Sequence, residues 1–482
     1  MDEPTPPDVS ERKRSIRELA DRLAPERDEW IDRNAYYYEE DVKYSQFLVR
    51  PGQRVLDLGC STGQLLNSLR PNHGVGIDMS PAMIDVARAK YPDLEFYVGD
   101  VENPETLKQL EGPFDVIVLS DTVGWLEDCQ GTFEQLQRLC TPETRVVIAY
   151  YSHLWAPVLW IAQQIGQQMP QGEQNWLSPR DLTEILGLAD FEVVRTDCRQ
   201  IVPKRLGGVG PFVNRFVGTL PGMSLLALRS YVVARPARAP VSVAPSASVV
   251  IPCRNEAGNI EPAVTRIPRF CNDMEILFVE GHSKDGTIAE IQRVIDAHPE
   301  LDIKVVQQDG TGKADAVRKG FDVARGEVLM ILDADLTAPP EELPKFYDAI
   351  VGGKGELVMG SRLVYPLEKD AMRTLNMIGN KLFSLLFTWL LNQRITDTLC
   401  GTKVLTRANY ERIMANRAYF GDFDPFGDFD LIFGAAKLNL RILEIPVRYR
   451  ARTYGETQIS RFRHGWLLLR MVAVAYRKLK AV

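Results

Sequence analysis

The sequence predicts an α/β protein built as two successive domains, and three observations predict it. The chain has 482 residues, whereas a single hydrophobic core stops growing near ~250–300. Short β-rich runs alternate with amphipathic stretches, the pattern of βαβ units around a parallel sheet, and this alternation occurs twice. Between the two stretches lies ARPARAPVSVAPSAS at 234–248, rich in Pro, Ala and Ser and free of aromatics, which reads as a linker.

The first alternation contains RVLDL, GVGID, LEFYVGD, FDVIVLS and RVVIAYY, and FEVVRTD and RSYVVAR complete a sheet of about seven strands. A helix start sits at Ser178-Pro179-Arg180-Asp181, with a capping hydroxyl, proline at the first helical position and an acid at the third. The second alternation contains SVVIP, EILFVEG, DIKVVQQ, EVLMILDAD and ELVMGSR, with helices over 314–324 and 340–350. The halves share no motif, so the chain is a fusion rather than an internal repeat. The expected boundaries are a charged arm at 1–30, a first domain at 31–235, the linker at 236–247 and a second domain at 248–482.

Composition narrows the function classes. Hydrophobic residues make up 45% and charged residues 25%, and the net charge of −7 argues against nucleic acid as a partner. The seven cysteines are scattered without C-x-x-C spacing, which favours reduced thiols and a cytoplasmic protein. The N-terminus has no apolar core of a signal peptide. The longest apolar run, KLFSLLFTWLLN at 381–392, is shorter than the ~20 residues that span a bilayer.

VLDLGCSTGQLL, at 55–66, puts a Gly-rich turn between a strand and a helix, where backbone can approach a ligand closely. Asp78 closes the next strand about 20 residues on, the spacing for an acid that binds ribose hydroxyls. Asp100 ends the third strand, and Ser120-Asp121 the fourth. Ligands bind outside the carboxyl ends of such strands, so these positions converge.

These motifs resemble the class I methyltransferases with their Rossmann-like fold. The resemblance implies that Asp57, Gly59 and Gly63 hold the methionine part of S-adenosylmethionine, Asp78 its ribose and Asp100 its adenine, with Ser120 nearby. Ser61 stands where the family often has glycine. His153 is the candidate base for a hydroxyl acceptor, and Trp155, Trp160 and Trp176 are candidates for an acceptor pocket or for core.

In the second half, ASVVIPCRNEAGNI, FVEGHSKDGT and GTGKADAVRKGFDVARGEVLMILDADLTAPP place polar turns after strands and end on Asp333-Ala334-Asp335. Two carboxylates two residues apart on a turn can face one hard divalent cation, Mg2+ or Mn2+, that bridges diphosphate oxygens and offsets charge on a departing nucleotide. These blocks resemble the family 2 glycosyltransferases of GT-A fold, and within them the dolichol- or polyprenol-phosphate sugar synthases. The resemblance implies a nucleotide-diphosphate sugar donor held by Pro252, Arg254, Glu256, Glu280, Asp285, Lys313 and Asp315. It implies metal at Asp333 and Asp335, and acceptor phosphate or donor diphosphate at Arg362, Arg373 and Arg452. Gln458 replaces the lysine usual in such synthases. Gly281 follows Glu280 where the family often has a second aspartate.

Asp428 and Asp430 open a helix. They are candidates for the base that a hydroxyl acceptor requires and a phosphate acceptor does not, and equally for helix capping. From Arg448 the tail is basic and interleaved with apolar residues, so it either lies on an anionic membrane at its inner face or covers its own domain. The expected protein is a bifunctional transferase acting in cell-envelope polysaccharide synthesis on a polyprenyl-phosphate or glycan acceptor. Two alternatives stay open: a non-catalytic methyltransferase-like module that regulates the glycosyltransferase, and a soluble sugar or natural-product acceptor.

Overall fold

The computed structural model describes residues 10–238, 244–365, 374–421, 427–450, 452, 454 and 461–482. The start of the arm, part of the linker, Arg373 and Gln458 lie outside the described residues. The chain forms two compact units, the first running to Ala237 and including Ala481–Val482, the second spanning Arg238–Lys480.

In the first unit, strands β1 (Arg54–Leu58), β2 (His73–Asp78), β3 (Glu95–Val98), β4 (Phe114–Ser120), β5 (Cys140–Tyr151), β6 (Phe191–Arg199) and β7 (Arg229–Pro236) form one sheet in the order 3-2-1-4-5-7-6. The pairs β3–β2, β2–β1, β1–β4 and β4–β5 are parallel, and β7 runs antiparallel to both β5 and β6. Val55, Leu56 and Leu58 of β1 are fully buried, as expected of a central strand covered on both faces. The capping box forms: Asp181 N–H donates to the Ser178 hydroxyl, and Ser178 N–H to the Asp181 carboxylate. Residues of the expected arm fold as helices Glu11–Leu23 and Arg27–Arg33, and Leu23 and Ala24 pack against Met83.

The second unit has its own seven-stranded sheet, made of β8 (Ala247–Cys253), β9 (Met274–Glu280), β10 (Asp302–Gln307), β11 (Val328–Ile331), β12 (Leu357–Ser361), β13 (Lys403–Thr406) and β14 (Ile442–Pro446), in the order 10-9-8-11-13-12-14. The pairs β10–β9, β9–β8, β8–β11 and β12–β14 are parallel, while β13 is antiparallel to both its neighbours. Neither β13 nor β14 stands out in the sequence. β13 has four residues and begins with a buried lysine, and β14 ends in proline.

Among the described residues no helix is long and apolar enough to cross a membrane. All but the last residue of the run at 381–392 falls within helix Thr374–Leu391, which buries Phe387 and Leu390 while Leu382 and Leu385 stay exposed.

Helix Lys313–Val323 lies on β8 and β9 through Gly320. A methyl group at 320 would collide with Val250 Cγ1 and sit 2.9 Å from Val279 Cγ2. Gly→Ala normally stabilises a helix by up to ~1 kcal/mol. Gly320→Ala is expected instead to destabilise the second unit by roughly 1–3 kcal/mol through overpacking, read from the denaturant midpoint. An unchanged or raised midpoint would mean that the helix can shift freely off the sheet.

Candidate active sites

In the first unit the turn after β1 is built from left-handed residues, with Gly59 at φ +78°, Ser61 at +51° and Gly63 at +76°. A side chain at 59 would strike Thr122, and one at 63 would sit 2.7 Å from the Phe96 ring. Ser61 adopts a conformation that costs little only for glycine. Its N–H donates to Asp78 Oδ2 at 2.9 Å, and its hydroxyl accepts from Arg27 Nε at 3.2 Å. Asp78 accepts a second backbone bond, from Ser80 N–H at 2.9 Å, so it joins the turns after β1 and β2.

This rim encloses a cavity of about 250 Å³ lined by Asp57, Gly59, Asp78, Asp100 and Ser120, near the lower end of the range for small-molecule sites. Gly63 lies behind the turn rather than on the cavity wall. Burial pushes the Asp57 carboxyl up to about 7, and Asp78 and Asp41 add to the rise. Burial likewise raises Asp78, opposed by the backbone bonds from Ser80 and Ser61.

The N-terminal helices supply the wall that sequence reasoning missed. Lys13 pairs with Asp100, and with Glu102 at 3.0 Å. Arg27 donates to the Tyr38 hydroxyl at 2.9 Å, and Leu19 and Leu23 line the same space. Arg12 fixes the first helix by donating to the Leu126 carbonyl at 3.1 Å. The signal was available in the helical spacing of Ile16, Leu19, Ala20 and Leu23, but the surrounding charges read as a charged, partly helical arm rather than as part of the site.

The expectation for His153 is corrected. β5 ends on Tyr151, which lines the cavity; Ser152 N–H bonds the Leu228 carbonyl at 2.8 Å, and His153 is exposed and does not line the cavity. Trp155, Trp160 and Trp176 do not line it either, whereas Trp125 does.

In the second unit the loops after β8 and β9 lock together. Pro252 lies in β8 opposite Val279, and Arg254 just beyond is exposed. Asn255 takes a left-handed φ of +56°, and its N–H bonds the Ser283 hydroxyl at 2.9 Å. Glu280 accepts from Ser283 N–H at 2.5 Å; burial opposes its ionisation, but the bonds from Ser283 outweigh it and hold the carboxyl below the usual range. Asp285 accepts from Thr287 N–H at 3.0 Å, and Asp315 from Gly310 N–H at 2.8 Å.

The acidic pair after β11 is compensated by two cations. Asp333 bonds Lys313 at 2.6 Å, and Asp335 bonds Arg452 at 2.6 Å. Arg452 also reaches Glu256, at 3.3 Å. Lys313 lies 4.0 Å from Asp428, whose other oxygen is 3.1 Å from the fully buried Lys403. Burial opposes ionisation of Asp333, but Lys313, with Lys403 and Arg362, holds it below the usual carboxylate range. Gly401 is glycine because a side chain there would collide with the Asp333 carboxylate.

Not every candidate faces this cleft. Asp430 is bound by Arg318 at 3.3 Å and Arg417 at 3.1 Å, which separates it from Asp428 in role. Arg362 grips Asp397 through two nitrogens, at 2.6 and 2.8 Å, and stacks over Tyr449. Burial works against the Asp397 charge, but Arg362 outweighs it and brings the carboxyl down to about 2. Lys403 and Asp397 carry no motif and were missed. Among the described residues no group of three or more His, Cys, Asp or Glu side chains is arranged as a metal cage.

Comparison with known proteins matches a different family to each part of the chain. The profile described as "Methyltransferase domain" matches residues 9–196, and that described as "Glycosyl transferase family 2" matches 248–417. The chain is 33% identical over 241 residues to a dolichol-phosphate mannosyltransferase of Mycosarcoma maydis, a match covering 45% of this chain and 75% of that protein. It is 28% identical over 237 residues to a low-salt glycan biosynthesis hexosyltransferase of Haloferax volcanii, covering 48% and 54%. Matches to dolichol-phosphate mannosyltransferases of Saccharomyces cerevisiae and Pyrococcus furiosus cover 40% and 33% of those proteins, so the chain spans about half or less of the length of these last three relatives. A solved SAM-dependent methyltransferase of Thermotoga maritima aligns at 14% identity and a TM-score of 0.36, over 46% of this chain and 99% of that one. The chain therefore joins an N-terminal methyltransferase domain of Rossmann-like fold to a C-terminal domain that belongs to the family 2 glycosyltransferases of GT-A fold.

Proposed function

We propose that the chain performs two group transfers: methyl transfer from S-adenosylmethionine in the first unit, and transfer of a sugar from a nucleotide diphosphate to a polyprenyl phosphate in the second. The observation that carries the second reading is that Lys313 contacts Asp333 and Arg452 contacts Asp335, with the charges of Lys403 and Arg362 close enough to act on Asp333. Cations in that number suit a donor diphosphate and an anionic acceptor together.

An oxygen-only donor set of two carboxylates suits Mg2+ or Mn2+, which keep phosphate and water among their ligands. Lys313 and Arg452 hold Asp333 and Asp335 in position, and the two carboxylates are the donor type that such an ion takes. The metal would offset charge on the leaving diphosphate. Glu256, Glu280 and Asp285 order the loops that face the donor, and Pro252, Arg254 and Asp315 belong to the same rim. Arg452 answers to Asp335 and Glu256, so it is placed to exchange carboxylate for phosphate when a donor arrives.

Asp428 rather than Asp430 is the residue a hydroxyl acceptor would need, because it alone of the two shares Lys313 with Asp333. A phosphate acceptor is already anionic and needs no such base. Peripheral contact with the inner face of a membrane through the tail belongs to this reading: helix Arg461–Ala475 buries Leu468 and Met471 against its own unit and leaves Trp466 and Leu469 exposed.

In the first unit, Asp57, Gly59 and Ser120 would face the methionine end, Asp78 the ribose and Asp100 the adenine, while Gly63 shapes the turn. Positioning supplies much of the acceleration in such a displacement. The sulfonium and ammonium of the cofactor favour the ionised form of Asp57.

Four variants test these readings. S-adenosylmethionine is expected to bind the wild type in calorimetry and Asp78→Ala at least ~10-fold more weakly; a wild type that takes up none would make the first unit a non-catalytic module. Asp57 is neutral in both states below its unfolded value of 3.8 and titrates near 7 when folded. Its contribution to stability is therefore complete at low pH and is lost as pH rises from about 4 through about 7. Asp57→Asn should flatten that part of the stability profile, and should also abolish the proton release that cofactor binding produces in the wild type near pH 6–7, measured in buffers of different ionisation enthalpy. In a screen of UDP- and GDP-sugars with Mn2+ or Mg2+, Asp335→Asn should reduce nucleotide release by ~100-fold or more. Asp428→Asn, checked for folding by its melting curve, should cost less than ~10-fold with a phosphate acceptor; a loss of ~10²–10⁴-fold would mark a hydroxyl acceptor instead.

A further inference from the structure

The first unit carries an apolar surface that its cavity does not use. Two stretches leave the carboxyl rim of the first sheet: residues 152–172 after β5 and 200–228 between β6 and β7. Both expose large apolar side chains. Trp160 is 64% exposed and Ile165 65% in the first stretch; Leu206 is 62%, Phe212 60% and Leu225 69% in the second. Scattered exposed leucines are ordinary, but large residues grouped on connected segments mark an interaction surface.

The two stretches are tied together. Trp155 Nε1 donates to the Leu226 carbonyl at 2.9 Å, and Ser152 N–H to the Leu228 carbonyl at 2.8 Å. In the second stretch Asn214 points inward: it bonds Val202 through N–H and carbonyl at 2.9 and 2.8 Å, and the Tyr36 hydroxyl at 2.9 Å. The loop is thus held by its polar groups and presents its apolar ones.

Charge selects the occupant. Residues 152–172 contain no acid, and 200–228 contain Lys204, Arg205 and Arg215 with no acid. Glu39, from helix Ala35–Leu48, neutralises Arg205, and Lys204 bonds Asn34 at 2.9 Å. A protein partner that covered this surface would need a matching apolar face. An anionic bilayer needs none, since it accepts apolar side chains below its headgroups and basic ones at their level.

We infer that this rim of the first unit docks on an anionic lipid surface, independently of the tail of the second unit. The surface and the cavity share the carboxyl rim, Tyr151 lining the cavity and Ser152 opening the first stretch. A methyl acceptor held in the membrane is thereby presented at the cavity's own edge.

The test is sedimentation of the full chain with vesicles of phosphatidylcholine alone and of phosphatidylcholine with phosphatidylglycerol, beside the variants Phe212→Glu/Leu225→Glu and Trp466→Glu/Leu469→Glu. All four positions are exposed, so melting curves should match the wild type. The wild type is expected to bind the anionic vesicles, less so at high salt, and the first variant to bind about tenfold more weakly, with the second variant retaining most binding. Equal binding by the first variant and the wild type, loss confined to the second variant, or no wild-type binding to any vesicle would overturn the inference. So would a wild-type dimer in light scattering that the first variant converts to monomer, since the surface would then belong to a second copy.

Discussion

Carboxylates can be crowded at the rim of a sheet only where cations are built in to meet them. Bringing a charge out of water costs several kcal/mol per ion unless a partner is fixed beside it. In the second unit that constraint organises the cleft: Lys313 answers Asp333, Arg452 answers Asp335 and Glu256, and Lys403 answers Asp428. Each cation arrives from a different element, so the helix on β8 and β9, the start of β13 and the segment after β14 together balance three aspartates and a glutamate. Gly320 and Gly401 follow from it, one letting the helix that carries Lys313 lie close and the other giving the Asp333 carboxylate room.

The first unit meets the same constraint differently. Asp78 accepts backbone N–H groups from Ser61 and Ser80, with Arg27 near it, and Asp57, buried beside Asp78, responds by holding its proton. A site that awaits a cationic ligand gains from such unbalanced acidity, whereas one that awaits a diphosphate gains from cations already gathered. The two rims are chemically opposite although both follow the rule that ligands sit beyond the carboxyl ends of parallel strands.

What could be read from the sequence divides along a physical line. The parallel strands, the turn around Gly59 and the Asp333–Asp335 pair were legible because each is local: an apolar run, then a turn residue, then an acid. The pairing of Lys13 with Asp100 joins residues 87 apart in sequence, and that of Arg362 with Asp397 joins residues 35 apart, so neither leaves a local pattern. β13 escaped because its first residue is a buried lysine, which breaks the apolar alternation for the sake of Asp428. His153 misled because the end of a strand does not reveal which way the chain turns next; Tyr151, two residues earlier, is the one directed inward.

The helix Glu11–Leu23 has a practical corollary. It precedes the first strand by some thirty residues, yet Lys13, Leu19 and Leu23 form one side of the cavity. Trimming an expression fragment to begin at residue 31 would spare the whole sheet and strip the chamber of a wall. Such a fragment could keep its native circular dichroism while its cavity stood open to bulk water.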